Sequence, residues 1–213
     1  MWNGWGKSLV KKLKFVTKGV ITGKTPPSSK PEFYNGNIDW FSPGDFKKEF
    51  ILSESKRKIT KLAIEKAGIK LYPPYSVLLI GIGATLGKIG IIINSASSNQ
   101  QINAIIFDEN NMIPFFGLYF LHSFKDAIVG LSNSATLAIL NQTQTKELDI
   151  FVPPIEEQTA IVLHIETETT RINTKITKTE KLIELLKEYK TALISEVVTG
   201  KIDVREKEET TKN

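Results

Sequence analysis

Two rhythms of apolar residues divide the chain. In residues 1–150 they fall in short β-branched runs, at Ser76 to Gly81, Lys88 to Ile93, Ile102 to Phe107 and Asp149 to Val152. Turn residues separate the runs: Gly19, Gly23 to Pro27, Gly36-Asn37, Pro43-Gly44, Pro73-Pro74 and Asn94 to Ser98. Runs of that length bounded by such residues predict strands. Ile59 to Ala67 and Phe116 to Val129 predict helices, the second preceded by Pro114, a residue well tolerated at a helix start.

From residue 155 the rhythm changes. Pro153-Pro154 precede and Gly200 follows a stretch, 155–198, that contains neither Gly nor Pro. Ile165, Ile172, Thr179, Leu186 and Leu193 lie seven apart, and so do Val162, Thr169, Ile176, Ile183, Lys190 and Val197. The two sets interleave as a 3-4 stripe over about five heptads, the spacing of a coiled-coil seam. Leu182, Leu185 and Tyr189 widen it. The helix would be roughly 65 Å long, and it needs a partner helix to bury its stripe, the alternative being that it folds back on its own domain. The expected fold class is α+β: a mixed α/β domain at 1–150, a long coiled-coil-forming helix in 151–204, and a tail at 205–213. The tail has no apolar residue beyond Val204 and is expected to be disordered.

Charge sharpens this division. Residues 1–150 carry 18 Lys/Arg and 11 Asp/Glu, a net of +7, whereas 151–213 carry 10 and 12, a net of −2. A basic first domain suits an anionic partner, of which nucleic acid is the commonest, and on charge alone it is equally read as a soluble basic domain with no such partner. The chain has no cysteine, which excludes disulfides, thiolate nucleophiles and Cys-based zinc sites and makes a reducing cytoplasm the simplest compartment. Met1 is followed by Trp-Asn-Gly-Trp, not by a signal sequence, and Val77 to Ile80 and Ile89 to Ile93 are far too short for a span, so no membrane association is expected.

Several tempting motifs fail on chemistry. Gly81-Ile-Gly-Ala-Thr-Leu-Gly-Lys88 has Ile82 where a P-loop needs its first glycine and Ile89 where it needs Ser or Thr; Leu86 occupies the third glycine position of a dinucleotide fingerprint. A glycine-rich turn with Thr85 and Lys88 could still approach a DNA phosphate. Tyr72-Pro-Pro-Tyr75 is similar to the Pro-Pro-aromatic motif of adenine methyltransferases, but Tyr72 stands where those enzymes hold the target amine with Asp, Asn or Ser; a strand-entry turn is the expectation. His122 and His164 have no second ligand at metal spacing, and the serines have no triad setting. No catalytic residue and no metal site are expected.

What remains is polar and basic loops interleaved with aromatics. One group is Lys24-Thr25, Lys30, Tyr34, Trp40, Ser42, Lys47-Lys48 and Lys56-Arg57-Lys58; another is Asn99-Gln100-Gln101 with Ser132 to Thr136, including Ser134, and Asn141. Lys and Arg would neutralise phosphates, while Asn, Gln, Ser and Thr can reach base edges. Each of these residues taken singly is also an ordinary solvated loop residue, and Trp40 an ordinary core residue.

In their order, these pieces resemble the specificity subunit of type I restriction-modification systems over nearly the whole chain. The likeness lies in Gly19-Val-Ile-Thr-Gly-Lys-Thr-Pro26; in Gly36-Asn-Ile-Asp-Trp40 with Ser42 and Asp45; in Ile59-Thr60, Leu71 through Ile80, Thr85-Leu-Gly87 and Asn99-Gln100. Its most specific part is Ile150-Phe-Val-Pro-Pro-Ile-Glu-Glu-Gln158 with Ala160-Ile161, and Ala192 through Arg205 matches the family's closing run. The resemblance implies a DNA target-recognition domain and a spacer helix. It implies that Val162, Ile165, Ile172, Ile176, Ile183, Leu186, Leu193 and Val197 pack against a partner helix and dock methyltransferase subunits. S-adenosylmethionine would belong to those subunits, and ATP and Mg²⁺ to a separate restriction and translocation subunit; this chain would hold no cofactor.

One departure stands out. Members of that family carry two recognition domains and two spacer helices, whereas this sequence has one of each and no internal repeat. A homodimer reading a split, palindromic double-stranded site would restore the whole; a truncated remnant of such a subunit is the other explanation of the departure. Two other readings compete: a stand-alone dimeric DNA-binding regulator, and a nuclease, for which Asp108-Glu109 is only a loop pair.

Overall fold

The computed structural model of the 213-residue chain describes residues 9–47, 49–130 and 139–204. Lys48, Ser134, Thr136 and the expected tail at 205–213 lie outside the described residues. The chain forms two compact units, one ending at Val162 and one beginning at Leu163.

The first unit is built on a five-stranded sheet of β2 (Thr17–Thr22), β9 (Ile102–Phe107), β6 (Val77–Ile80), β7 (Ile89–Ile92) and β4 (Ile51–Leu52), side by side in that order. β2, β9, β6 and β7 pair antiparallel, and β4 joins β7 in parallel. Alternate residues of β6 enter different cores, Val77 and Leu79 on one face and Leu78 and Ile80 on the other. Burial on both faces explains why β6 reads as a continuous apolar run without alternation.

On the first face lies α2 (Pro114–Ser123), which packs Phe116, Leu118 and Leu121 beside Val20, Ile91, Ile105 and Phe107. A Cβ on Gly117 would collide with the Phe107 ring, so glycine sets how closely α2 approaches β9. On the second face Phe41, Phe46, Leu52 and Tyr72 cover Leu78, Ile80 and Ile102.

A smaller sheet joins β5 (Lys58–Ile59), β3 (Tyr34–Phe41) and β8 (Ser97–Ser98). It carries α1 (Lys61–Ala67) over Phe33, Trp40, Ile59 and Ile69. A two-stranded ribbon of β1 (Leu9–Lys12) and β10 (Asp149–Val152) leads into α5 (Ile155–Val198), the 44-residue helix expected from the stripe. The described residues of this unit also include two short helices, α3 (Lys125–Gly130) and α4 (Gln142–Lys146).

Four local expectations are corrected. Ile59 belongs to β5 and not to a helix, because Thr60 caps α1 by accepting the Ala63 N–H. The helix expected over Phe116 to Val129 is two helices, α2 and α3, meeting at Phe124, whose ring stacks on Phe120 at 4.6 Å between centroids. Gly36-Asn37 is not a turn between elements but the middle of β3. There Asn35 has φ +58, the pairing with Ile59 shifts register, and a Cβ on Gly36 would strike the Ile59 carbonyl. Gly19 likewise sits inside β2, at a register shift against β9.

The second unit holds α5 from Leu163 onward. Ile172, Ile176, Ile183 and Leu186 are about half exposed along the expected seam. Thr179, which interrupts the stripe, donates its hydroxyl to the Lys175 carbonyl at 2.9 Å and so presents mainly its methyl group. Val162, counted in the same stripe, instead packs against the core of the first unit with Ile161. No helix among the described residues is long and apolar enough to cross a membrane.

Candidate nucleic-acid interface

The strand order brings four loops to one end of the large sheet. Antiparallel pairing sets Ile80 beside Ile102, so the β6–β7 hairpin loop and the turn before β9 lie together. Gly81 N–H donates to the Gln101 carbonyl at 2.8 Å, and Leu140 N–H donates to the Gly81 carbonyl at 2.7 Å. The segment after β2 joins them through Gly23 N–H to Ile102 O at 2.9 Å and Lys24 N–H to Ser98 O at 2.9 Å. Thr25, Thr85, Lys88, Gln100 and Asn141 are therefore drawn from distant stretches of sequence to one end of the sheet.

Within the hairpin loop, Gly83 and Gly87 have φ of +99 and +80, which permit its tight path. The Gln101 amide lies over Gly83. Lys88 is exposed, Thr85 half-buried, and the loop is closed by Lys88 N–H to Thr85 O at 3.1 Å. Thr25 donates its hydroxyl to Gln100 Oε1, so these two exposed side chains act as a pair.

A second patch adjoins through two pinned aromatic rings. The Tyr34 hydroxyl donates to the Pro26 carbonyl at 2.6 Å, and Trp40 Nε1 donates to the Lys24 carbonyl at 3.0 Å. The Arg57 guanidinium lies over both rings, 5.1 Å from each centroid. Lys24 reaches away, its ammonium donating to the Ala67 carbonyl at the end of α1 at 2.6 Å, where a cation also suits the helix dipole. Lys30 is exposed and only loosely paired with Glu32, at 3.7 Å. Lys47 and Lys56 are exposed with no ion pair among the described residues. The Lys56 backbone is fixed by its N–H, which donates to buried Asp45 at 3.0 Å.

Lys58 takes the nearby carboxylates, 3.0 Å from Glu54 and 3.8 Å from Asp39. The Glu54 hydrogen bond first, and the Asp39 charge second, hold its ammonium above the usual lysine range.

Two predicted base readers have structural work to do. Asn99 is buried: its amide donates to Gln101 Oε1 at 3.0 Å and its Oδ1 accepts the Gln101 N–H at 3.1 Å, which shapes the turn. Asn141 is exposed, but its Oδ1 caps α4 by accepting the Gln144 N–H at 2.9 Å. The Tyr72-Pro-Pro-Tyr75 motif forms the turn entering β6. Tyr72 is fully buried, its hydroxyl 3.0 Å from Ser98 Oγ, and burial pushes that phenol up. His122 rests edge-on against Phe50, and among the described residues no group of His, Asp and Glu is arranged to hold a metal.

Sequence reasoning missed the pairing of Arg57 with Tyr34 and Trp40, and the role of Gln101. It placed Tyr34 and Trp40 in the right group, but no spacing rule connects aromatics on one strand with a cation in a distant loop.

The described residues thus present exposed cations, amides and hydroxyls at the loops of a sheet covered on both faces, and a long helix with a half-exposed apolar seam. Residues 8–187 match the family described as type I restriction modification DNA specificity domain, and the chain belongs to that family. It is 30% identical over 158 residues to the type I restriction enzyme MjaIX specificity subunit of Methanocaldococcus jannaschii, covering 71% of this chain and 35% of that one. The HindI specificity subunit of Haemophilus influenzae is 25% identical over 139 residues, 64% of this chain and 30% of that one.

Among solved structures, a chain from a type I restriction-modification system studied for complex assembly and conformational transition matches with a TM-score of 0.73. The match has 19% identity over 92% of this chain and 46% of that one. The HsdS subunit from Thermoanaerobacter tengcongensis matches with a TM-score of 0.63, at 19% identity over 81% and 40%. The α+β fold is thus that of HsdS subunits. The chain spans about a third of the length of the curated relatives and under half that of the solved ones.

Proposed function

We propose that this chain reads one half of a bipartite double-stranded DNA site for a type I restriction-modification complex and is not itself catalytic. Residues 1–150 act as the target-recognition domain and 151–204 as the spacer. The chain works in the cytoplasm as a homodimer, its two long helices antiparallel along the seam of Ile172, Ile176, Ile183 and Leu186. Methyltransferase subunits dock on the same pair of helices and bring S-adenosylmethionine. A restriction and translocation subunit joins through the complex with ATP and Mg²⁺.

The observation that carries this reading is the convergence of Thr25–Gln100, Thr85, Lys88 and Gln101 at one sheet end, beside Arg57 and the open lysines. Cations set register on phosphates while amides, hydroxyls and a planar guanidinium can read bases. The half-exposed seam supports self-association, since an apolar stripe of that extent is costly to leave in water.

The test is to combine the purified chain with a methyltransferase subunit of the same source and map adenine methylation on a random duplex library. Methylation confined to one split palindromic site, by a complex of two chains and two methyltransferases, is the expected result. A monomer that leaves the methyltransferase unbound, or a dimer that binds DNA tightly without it, would overturn the proposal; the latter is the behaviour of a regulator.

A further inference from the structure

Arg57 differs from every other cation of the candidate face. Asp39 and Glu54 are engaged by Lys58. Among the described residues the Arg57 side chain has neither ion pair nor hydrogen bond, only the two rings. Those rings are themselves immobilised, by the bonds of Tyr34 to Pro26 O and Trp40 to Lys24 O. The Arg57 backbone is held too, because its carbonyl accepts the Trp40 N–H at 3.1 Å. The two ring-anchoring carbonyls flank Thr25, whose hydroxyl holds Gln100.

We propose that Arg57 is a specificity-determining residue that reads a guanine edge in the major groove, beside the base met by Gln100. The proposal rests on the DNA-recognition reading above and deepens it. Recognition of guanine O6 and N7 needs a planar fork in one orientation; two rings packed against the guanidinium restrict how it can turn, and its N–H donors have no partner among the described residues. A phosphate contact needs only a charge within reach, which exposed Lys56 next door provides without any ring. Holding the guanidinium in place before binding also removes the rotamer entropy that an arginine otherwise gives up when it meets DNA.

The experiment recovers preferred sites from a randomised duplex pool with the assembled methyltransferase complex, using wild type, Arg57→Lys, Tyr34→Leu and Lys56→Ala. Wild type is expected to select a guanine at one position of each half-site. Arg57→Lys keeps the charge but loses the fork, so preference at that guanine should fall roughly 10- to 100-fold while the rest of the site and the salt dependence stay unchanged. Tyr34→Leu should weaken the same preference to a lesser degree. Lys56→Ala should lower affinity for all sequences and leave the selected site intact.

An unchanged site with Arg57→Lys, or equal weakening on all sequences, would make Arg57 a phosphate contact and overturn the proposal. A wild-type complex that selects no site would overturn the recognition reading itself, which separates the two failures.

Discussion

Gln158, in the first turn of α5, is fully buried and accepts the Ile113 N–H on its Oε1 at 2.8 Å, just where α2 begins. Its Nε2 donates to the carbonyls of Asn111 at 3.0 Å and Pro153 at 2.9 Å. One side chain thus satisfies three backbone groups that have no partner in regular structure, and fixes the start of the long helix within the first unit.

Replacing Gln158 by Ala strands those groups, at about 1–3 kcal/mol for each that water cannot reach. A net loss of about 3 kcal/mol is expected, read as a lower midpoint in chemical denaturation. Gln158→Glu should cost more at neutral pH, because a carboxylate would face two carbonyl oxygens in a buried site. Burial and those oxygens raise its folded-state pKa above the unfolded value, so protonation favours the folded state. The deficit of this variant should therefore shrink as pH falls. A deficit that is the same at acid and neutral pH would contradict this account of the site.

Ile176→Glu or Ile183→Glu puts a charge into the proposed seam. The dimer's dissociation constant should rise at least roughly 100-fold, about 3 kcal/mol. Light scattering reads this as a fall in molar mass at micromolar concentration. The thermal transition of the first unit should be unchanged, since both positions lie in the second.

Lys47 and Lys56 are exposed lysines of the candidate face without an ion pair among the described residues. Replacing both with Ala should weaken binding to every duplex alike and reduce the slope of log affinity against log salt by about 2, roughly 0.9 for each phosphate left without its cation. Filter binding between about 50 and 200 mM salt, on site-bearing and random duplexes, is the measurement. A slope equal to that of wild type would remove both lysines from the interface.

Tyr75 has φ +62 in the turn that enters β6, and its ring is about half exposed. Side chains other than glycine cost about 1–2 kcal/mol in that region, while glycine adds unfolded-state entropy of about 0.5–1 kcal/mol. Tyr75→Gly should therefore stabilise the first unit by about 0.5 kcal/mol, raising Tm by roughly 1–3 °C. Tyr75→Ala keeps the strain and should give no gain. Paired thermal melts check both outcomes.

The segments most legible in the sequence are those whose burial follows local spacing. The seven-residue repeat from Ile165 to Leu193 reveals α5 because neighbouring turns of one helix create it. Ile102 to Phe107 and Asp149 to Val152 stand out because turn residues bound them closely. The family likeness is carried in the same local way, by the run ending at Gln158. The tertiary structure alone decides what distant residues do to one another. β3 reads as a turn until Gly36 meets Ile59 across a bulge. Asn99 reads as a base reader until the turn around Gln101 buries it. Arg57 reads as one more phosphate-seeking cation until Tyr34 and Trp40 come to lie beneath it. Spacing along the chain records contacts between near neighbours, whereas strand register and loop convergence arise from pairing across long separations, which no short window of sequence contains.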